Sequence, residues 1–258
     1  GQATIFVIIG IVLIILILLF VFLRTKVYLG PTSRENLEAQ FPQIQDHIQN
    51  CIAEVAEPRL RQIGLQGGFI DTPGNTFRTY LNNRVSILCY NIPDTPLCRS
   101  RVLTISDMEE ELSKYMEEEL QRECLNIQSY DKLGFDLTQG SLSVQTSIGE
   151  DTVLVTATIP ITISKGSSRA EQTEFTETIE VPLGRLYDAM RDIVNSEALT
   201  GDFDTLIYSV AQTQLKNKPH IIQKLQPYPD KLYIMKIKDT PSSDDPYIFQ
   251  FFVEGEPR

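Results

Sequence analysis

The feature that most constrains this chain is an unbroken apolar run close to its start. Residues 4–23 read TIFVIIGIVLIILILLFVFL and contain no charged side chain. A helix of about 20 residues is about 30 Å long, which matches the hydrocarbon core of a bilayer. Because the backbone polar groups of a segment in lipid must be satisfied within that segment, the run predicts a long hydrophobic helix.

Three interpretations of this run compete. A secretory signal peptide needs a basic N-terminal region and a cleavage site of small residues. No basic residue precedes Thr4, and the run is followed directly by Arg24 rather than by small residues. The run can instead be a permanent single-span anchor, or the assembly segment of a pilin, which sits in the membrane before polymerisation. The sequence begins at Gly1 rather than at Met, so we expect a processed end at or next to Gly1 after a short basic leader, which favours the pilin.

The first residues, GQATIFVIIGIV, resemble the mature start of archaeal type IV pilin-like proteins after cleavage by a prepilin peptidase. Bacterial type IV pilins usually carry Glu at the fifth mature position and often Pro near position 22, whereas this chain has Ile5 and Phe22. Many archaeal pilins lack both residues. Residues 51–68, CIAEVAEPRLRQIGLQGG, also resemble envelope proteins of small-genome archaea that have the same kind of apolar N-terminal segment.

The resemblance implies a helical homopolymer in which the apolar run of each copy packs against the runs of its neighbours. Such a core is held together by the hydrophobic effect and by dispersion. The side chains expected in the filament core are Ile5, Phe6, Ile8, Ile9, Val12, Leu13, Ile15, Leu16, Leu19, Phe20 and Leu23.

The pattern beyond the run indicates an α+β fold: a long N-terminal hydrophobic helix, then a globular domain with amphipathic helices and an antiparallel β-sheet. We place the assembly or transmembrane helix at residues 1–29 and the extracellular domain at residues 30–258, which is long enough for a substantial core. Helices are predicted from residue 43, with a kink or break at Pro58, from Ser106 with a Ser106–Glu109 capping box, and over residues 183–194.

Weaker helical patterns cover residues 76–88 and 203–215. Alternating apolar and polar residues predict a three-stranded antiparallel meander over residues 142–181 and two final strands at residues 231–238 and 247–253.

Four cysteines allow three pairings, and the helix stripes select one of them. Cys51 continues the apolar stripe of the helix from residue 43, and Cys124 continues that of the helix from Ser106. Both stripes must face one core, which predicts the disulfides Cys51–Cys124 and Cys89–Cys98. Two disulfides favour an exported domain, although the basic residues after the apolar run favour a cytoplasmic side; we follow the cysteines.

No pattern of catalytic or ligand-binding residues stands out. The only Gly-rich loop, residues 64–68, lacks the lysine of a phosphate-binding loop, and the two histidines have no metal-ligand spacing. Asp202 and Asp204 suggest a helix N-cap, and the glutamates at 109–111 and 117–119 suggest a solvated helix face. A net charge of −11 argues against nucleic acid as a partner.

The sequence therefore predicts a pilin that is no enzyme and needs no cofactor or metal, and whose partners are copies of itself and, before assembly, the membrane. The globular domain would form the outer surface of an extracellular filament, for adhesion or contact with a host or neighbouring cell. The alternative is a single-span membrane-anchored ectodomain with a binding or enzymatic role.

Overall fold

The computed structural model describes residues 33–95, 97–125, 136–165, 168–214, 220–237 and 246–255. Residues 4–23, with all the expected filament-core side chains, lie outside the described residues. The helices are α1 (Ser33–Leu65), α2 (Ile105–Glu123), α3 (Leu183–Thr200) and α4 (Thr205–Gln214). The strands are β1 (Phe77–Tyr80), β2 (Asn83–Tyr90), β3 (Arg99–Ser100), β4 (Asp136–Gln139), β5 (Ser143–Ile148), β6 (Thr152–Lys165), β7 (Ser168–Glu180), β8 (His220–Leu225), β9 (Lys231–Ile237) and β10 (Phe249–Val253).

Helix α1 is continuous over 33 residues although two prolines lie within it. Pro42 and Pro58 both lie on its exposed side. On that side water can form hydrogen bonds with the carbonyl groups that each proline leaves without a donor. Of the kink or break predicted at Pro58, the break is therefore wrong. The opposite side is a buried stripe of Ile44, Ile48, Ile52, Ala56, Leu60 and Ile63.

The larger sheet is mixed, with strand order β1-β2-β10-β9-β8 and β3 paired to β2. Strand β10 runs parallel to β2, with Phe252 opposite Ile87, while the other neighbours are antiparallel. One face of this sheet contributes Tyr233, Phe249 and Phe251 to the main core. The other face buries a small second cluster of Val85, Ile87, Leu232 and Phe252.

The smaller sheet is built around β6, which pairs with β7 along its length and with β5 and β4 in turn. The ladder is irregular between Thr158 and Ile161, where Pro160 lies. Proline within a sheet is confined to edges and bulges, so this irregularity explains how a paired strand contains Pro160. The inward side chains of β6, from Val153 to Ile163, pack in the main core that also contains the buried faces of α1, α2 and α3.

The predicted meander over residues 142–181 is confirmed as β5, β6 and β7, and the helix over residues 183–194 is confirmed within α3. The expected fold class is wrong in two respects. Across the described ranges no long apolar helix occurs. The long helix there, α1, is amphipathic, and no helix in this part of the chain could span a membrane. The strands form two sheets, one of them mixed, rather than one antiparallel sheet.

Two local predictions are also wrong. Residues 76–88 contain the hairpin β1–β2 rather than a helix, and its turn uses left-handed backbone at Leu81 (φ 45°) and Asn82 (φ 65°). Helix α2 begins one residue earlier than expected and is capped by Thr104 instead of Ser106. The Thr104 Oγ1 accepts a bond from the Asp107 amide at 3.1 Å, and the Asp107 carboxylate accepts one from the Thr104 amide at 3.0 Å.

Candidate functional site

Two disulfides tie distant parts of the chain together, in the pairing that the helix stripes predict. Cys51–Cys124 joins the middle of α1 to the end of α2, across 73 positions, with Cα atoms 5.8 Å apart. Cys89–Cys98 joins β2 to the loop before β3, across nine positions. All four cysteines are thus oxidised. This pattern indicates an oxidising compartment outside the cytosol.

The motifs considered as sites of chemistry have structural roles. Residues 64–68 end α1: Gly67 (φ 73°) and Gly68 (φ 99°) adopt left-handed backbone, and the Gly68 amide donates to the Ile63 carbonyl at 2.8 Å. This is a helix C-terminus, the opposite polarity to a phosphate-binding helix start. In the described ranges, no group of three or more Asp, Glu, His or Cys side chains is placed to hold a metal ion.

The acidic clusters of α2 are not simply solvated. Glu109 Oε1 accepts a bond from the Ile148 amide at 2.7 Å, and Ser113 Oγ accepts one from the Thr146 amide at 2.9 Å. These amides belong to β5, on the edge that does not pair with β6. Side chains of α2 therefore complete the hydrogen bonding of that edge, which the sequence pattern did not reveal.

The most concentrated polar site lies where α3 meets the mixed sheet. Glu197, only 1% exposed, accepts a bond from Lys231 Nζ at 2.6 Å and one from the Tyr233 hydroxyl. Lys231 Nζ also donates to the Gly201 carbonyl at 2.6 Å. Burial, and next the hydrogen bond to Glu197, raise the pKa of Tyr233 far above its ordinary value. The phenol therefore stays protonated and acts as a donor to the buried carboxylate.

A second ion pair lies at the exposed rim of this site. Lys224 on β8 pairs with Asp202, and its Nζ is 5.7 Å from the centre of the Tyr233 ring. The hydrogen bond from Lys224 holds the pKa of Asp202 below its ordinary value. Asp204, the other half of the Asp-x-Asp motif, accepts bonds from the Leu206 and Ile207 amides at 2.9 Å, so its predicted N-cap role is confirmed.

A polar groove of about 580 Å³ opens beside this network, next to the cis Tyr228–Pro229 peptide and Cys98. In an adjoining groove of about 530 Å³, which shares Asp230 and Glu254 with the first, Arg78 bridges these two carboxylates, with Nε 2.8 Å from Asp230 and an Nη atom 3.1 Å from Glu254. The acids of the groove are thus matched by lysine or arginine.

Helix α4 differs from the other helices because its apolar side chains face solvent. Leu206, Ile207 and Val210 are 73%, 69% and 52% exposed. The side that contacts the domain instead carries Tyr208, whose ring centre is 5.2 Å from that of Phe203 and whose hydroxyl is 3.3 Å from Asp192 Oδ2. Neither the helical pattern nor the composition of residues 203–215 indicated which side would be exposed.

No protein-family model, no curated protein and no solved structure gives a significant match to this chain.

Proposed function

We propose that this chain is a structural subunit of an extracellular, pilus-like filament. In this proposal, apolar residues 4–23 of neighbouring copies pack together in the filament core, and the domain described above coats the outside. The oxidised cysteines support the extracellular placement. The sequence of the apolar run supports the mode of assembly, because burying a single Leu or Ile side chain stabilises a contact by about 1.5–3 kcal/mol and the run contains many.

The observation that carries the proposal is how firmly α1, the element following the apolar run, is attached to the rest of the domain. A subunit held in a fibre only by its front segment must pass any pull on the fibre through α1. Cys51–Cys124 joins that helix covalently to the end of α2, so a pull on the front of the helix cannot detach it beyond Cys51 without breaking a covalent bond.

Hydrogen bonds reinforce this attachment along α1. Gln49 Nε2 donates to the Thr176 carbonyl on β7 at 2.8 Å, and the Gln250 side chain of β10 donates to the Leu65 carbonyl at 3.0 Å. The buried Tyr247 hydroxyl donates to the Leu60 carbonyl at 2.8 Å. The helix is therefore bonded to both sheets as well as to α2, as a stem under tension requires.

The outer surface of the filament would then be set by the domain. The paired charges of the groove favour a contact or adhesion role over catalysis. The outward face of β6 is rich in hydroxyls, with Thr156 lying opposite Thr176 of β7. A host or neighbouring cell surface is the partner that this placement suggests.

The test is a charge placed within apolar residues 4–23 of the full chain, at the position before the expected core side chain Val12. Ile11→Asp would bury an unpaired carboxylate against neighbouring copies, at a cost of several kcal/mol, whereas Ile11→Val keeps the core apolar and is the matched control. We expect filaments in negative-stain images of sheared cell-surface material from the control and none from Ile11→Asp. Oxidised cysteines in both variants would show that each was exported.

Normal filaments from an exported Ile11→Asp variant would contradict the proposal. If the unaltered chain forms no fibre and stays membrane-bound as separate copies, the single-span ectodomain replaces it.

A further inference from the structure

The exposed side of α4 is a continuous uncharged surface on a strongly acidic protein. The helix reads TLIYSVAQTQ and contains no charged residue, whereas 22% of the whole chain is charged. Leu206, Ile207, Val210 and Ala211 occupy the exposed side, at spacings of one, three and four residues that bring them together on a helix. Contiguous exposed apolar patches often mark interaction sites on monomeric proteins.

The apolar side chains are exposed on a well-anchored helix, so their exposure does not result from fraying of α4. Asp204 caps the first turn through two amide bonds at 2.9 Å. Tyr208 anchors the inward side through its ring contact with Phe203. Asp204 therefore stabilises the start of the helix, Tyr208 attaches it to Phe203 and Asp192, and the aliphatic side faces outward.

Charge identifies the partner that suits this surface. A domain of a chain with net charge −11 is repelled by anionic lipid, and helices that lie in a membrane interface are rich in lysine and arginine, which α4 lacks. A basic partner would be drawn to the acidic surfaces instead. A second copy of this chain, repelled elsewhere, can approach closely only through a surface without charge.

The order of charges along the sequence favours an antiparallel contact. Asp202 and Asp204 precede α4, and the sequence places Lys216 and Lys218 directly after it. Antiparallel packing keeps the two aspartate pairs about 15 Å apart, the length of a ten-residue helix, which exceeds the screening length of physiological salt. Parallel packing would bring the aspartates together.

We propose that α4 pairs with α4 of a second copy around a two-fold axis, with Leu206, Ile207 and Val210 interdigitating. Such a contact is isologous, so the same side chains meet their own equivalents. A contact made by one ten-residue helix from each copy is small and belongs with weak interfaces, below about 1,200 Å² in total, so it forms where copies are concentrated on one surface. It does not depend on residues 4–23, and it would join two filaments or two membrane-held copies equally.

The test uses single added cysteines in the full chain, held in its native membrane. Because all four native cysteines are paired, an added cysteine supplies the only free thiol. Ile207→Cys and Val210→Cys place that thiol near the proposed axis, where Cα atoms of two copies within about 7 Å can be bridged. Leu81→Cys, 77% exposed in the β1–β2 turn, is the matched control.

After mild oxidation we expect a disulfide-linked dimer on non-reducing gels from both α4 variants and none from the control. Adding Ile207→Glu to the Val210→Cys variant should abolish the dimer. Peptide mapping of the two native disulfides confirms that each variant has folded.

Three results would overturn the pairing: no dimer from correctly folded α4 variants, equal dimer from Leu81→Cys, or a dimer that survives Ile207→Glu. A fluorophore attached to the added thiol of the Ile207→Cys variant that reports lipid contact without dimer formation would also overturn it, because the membrane would then be the partner. Since filament formation is scored separately with Ile11→Asp, failure of one proposal does not imply failure of the other.

Discussion

Replacing Lys231 with Met tests whether the buried Glu197 depends on its cation. The substitution keeps the aliphatic stem of Lys231, whose side chain is 19% exposed, and removes the ammonium 2.6 Å from a carboxylate residue that is 1% exposed. Water cannot reach that carboxylate to replace the lost charge. Breaking a buried pair from one side costs about 3–5 kcal/mol, which is a large part of a typical folding free energy of about 5–15 kcal/mol.

Lys224→Met is the matched control because both lysines are largely buried and both lie near Asp202, but only Lys231 also pairs with the buried Glu197. The Lys224 side chain is 15% exposed, but its partner Asp202 is 70% exposed and is solvated when the lysine is gone. Exposed pairs contribute about 0–1 kcal/mol. The loss of unfolding free energy should therefore be several-fold larger for Lys231→Met than for Lys224→Met, although each variant removes one ammonium group.

The assay is denaturant unfolding of the full chain, followed by near-UV circular dichroism of tyrosine because the chain has no tryptophan. Adding Glu197→Gln to Lys231→Met should recover much of the loss, because an amide needs no counter-charge and its oxygen still accepts the Tyr233 hydroxyl. Equal losses from the two lysine variants, or no recovery in the double variant, would refute the reasoning.

Three further predictions follow from local contacts. Replacing Cys51 and Cys124 with Ala should lower the free energy of unfolding by about 4.5 kcal/mol from loop entropy, against about 2.7 kcal/mol for the other disulfide, as read from unfolding midpoints of the two double variants. Thr104→Ala should cost about 1 kcal/mol by removing the cap of α2, as measured by thermal unfolding; no change would show that the cap is replaced by water. Because the pKa of Asp202 is lowered in the folded state, its contribution is complete above the unfolded value of about 3.9 and is lost as pH falls through the lower folded value. In denaturation curves measured over a series of pH values, Asp202→Asn should reduce the decrease in the free energy of unfolding at low pH. An unchanged decrease would show that Asp202 does not contribute.

Elements whose side chains alternate cleanly between core and solvent could be predicted from the sequence. Strand β6 buries every second residue from Val153 to Ile163, so the sequence shows a regular alternation of apolar and polar residues there. The stripes on α1 and α2 even gave the correct disulfide pairing. These features depend on local periodicity, which one sequence contains.

Features that depend on distant partners could not be predicted. The parallel pairing of β10 with β2 joins Phe252 to Ile87, and no local pattern encodes which strands meet. Strand β2 is buried on both faces from Val85 to Cys89, which removes the alternation that identifies a strand. The charge network around Glu197 likewise joins residues that are distant in sequence.

The two edges of the smaller sheet determine whether neighbouring copies of the domain can join their sheets by strand addition. Strand β7 pairs only with β6 among the strands described, and it carries Glu171, Glu174, Glu177 and Glu180 along its 13 residues. A bare strand edge invites another copy to add a strand and begin amyloid-like growth, and charges along the edge oppose this. The opposite edge, at β5, has its amides occupied by α2 side chains. A surface can therefore hold many copies of this domain side by side without the sheets of neighbouring copies fusing.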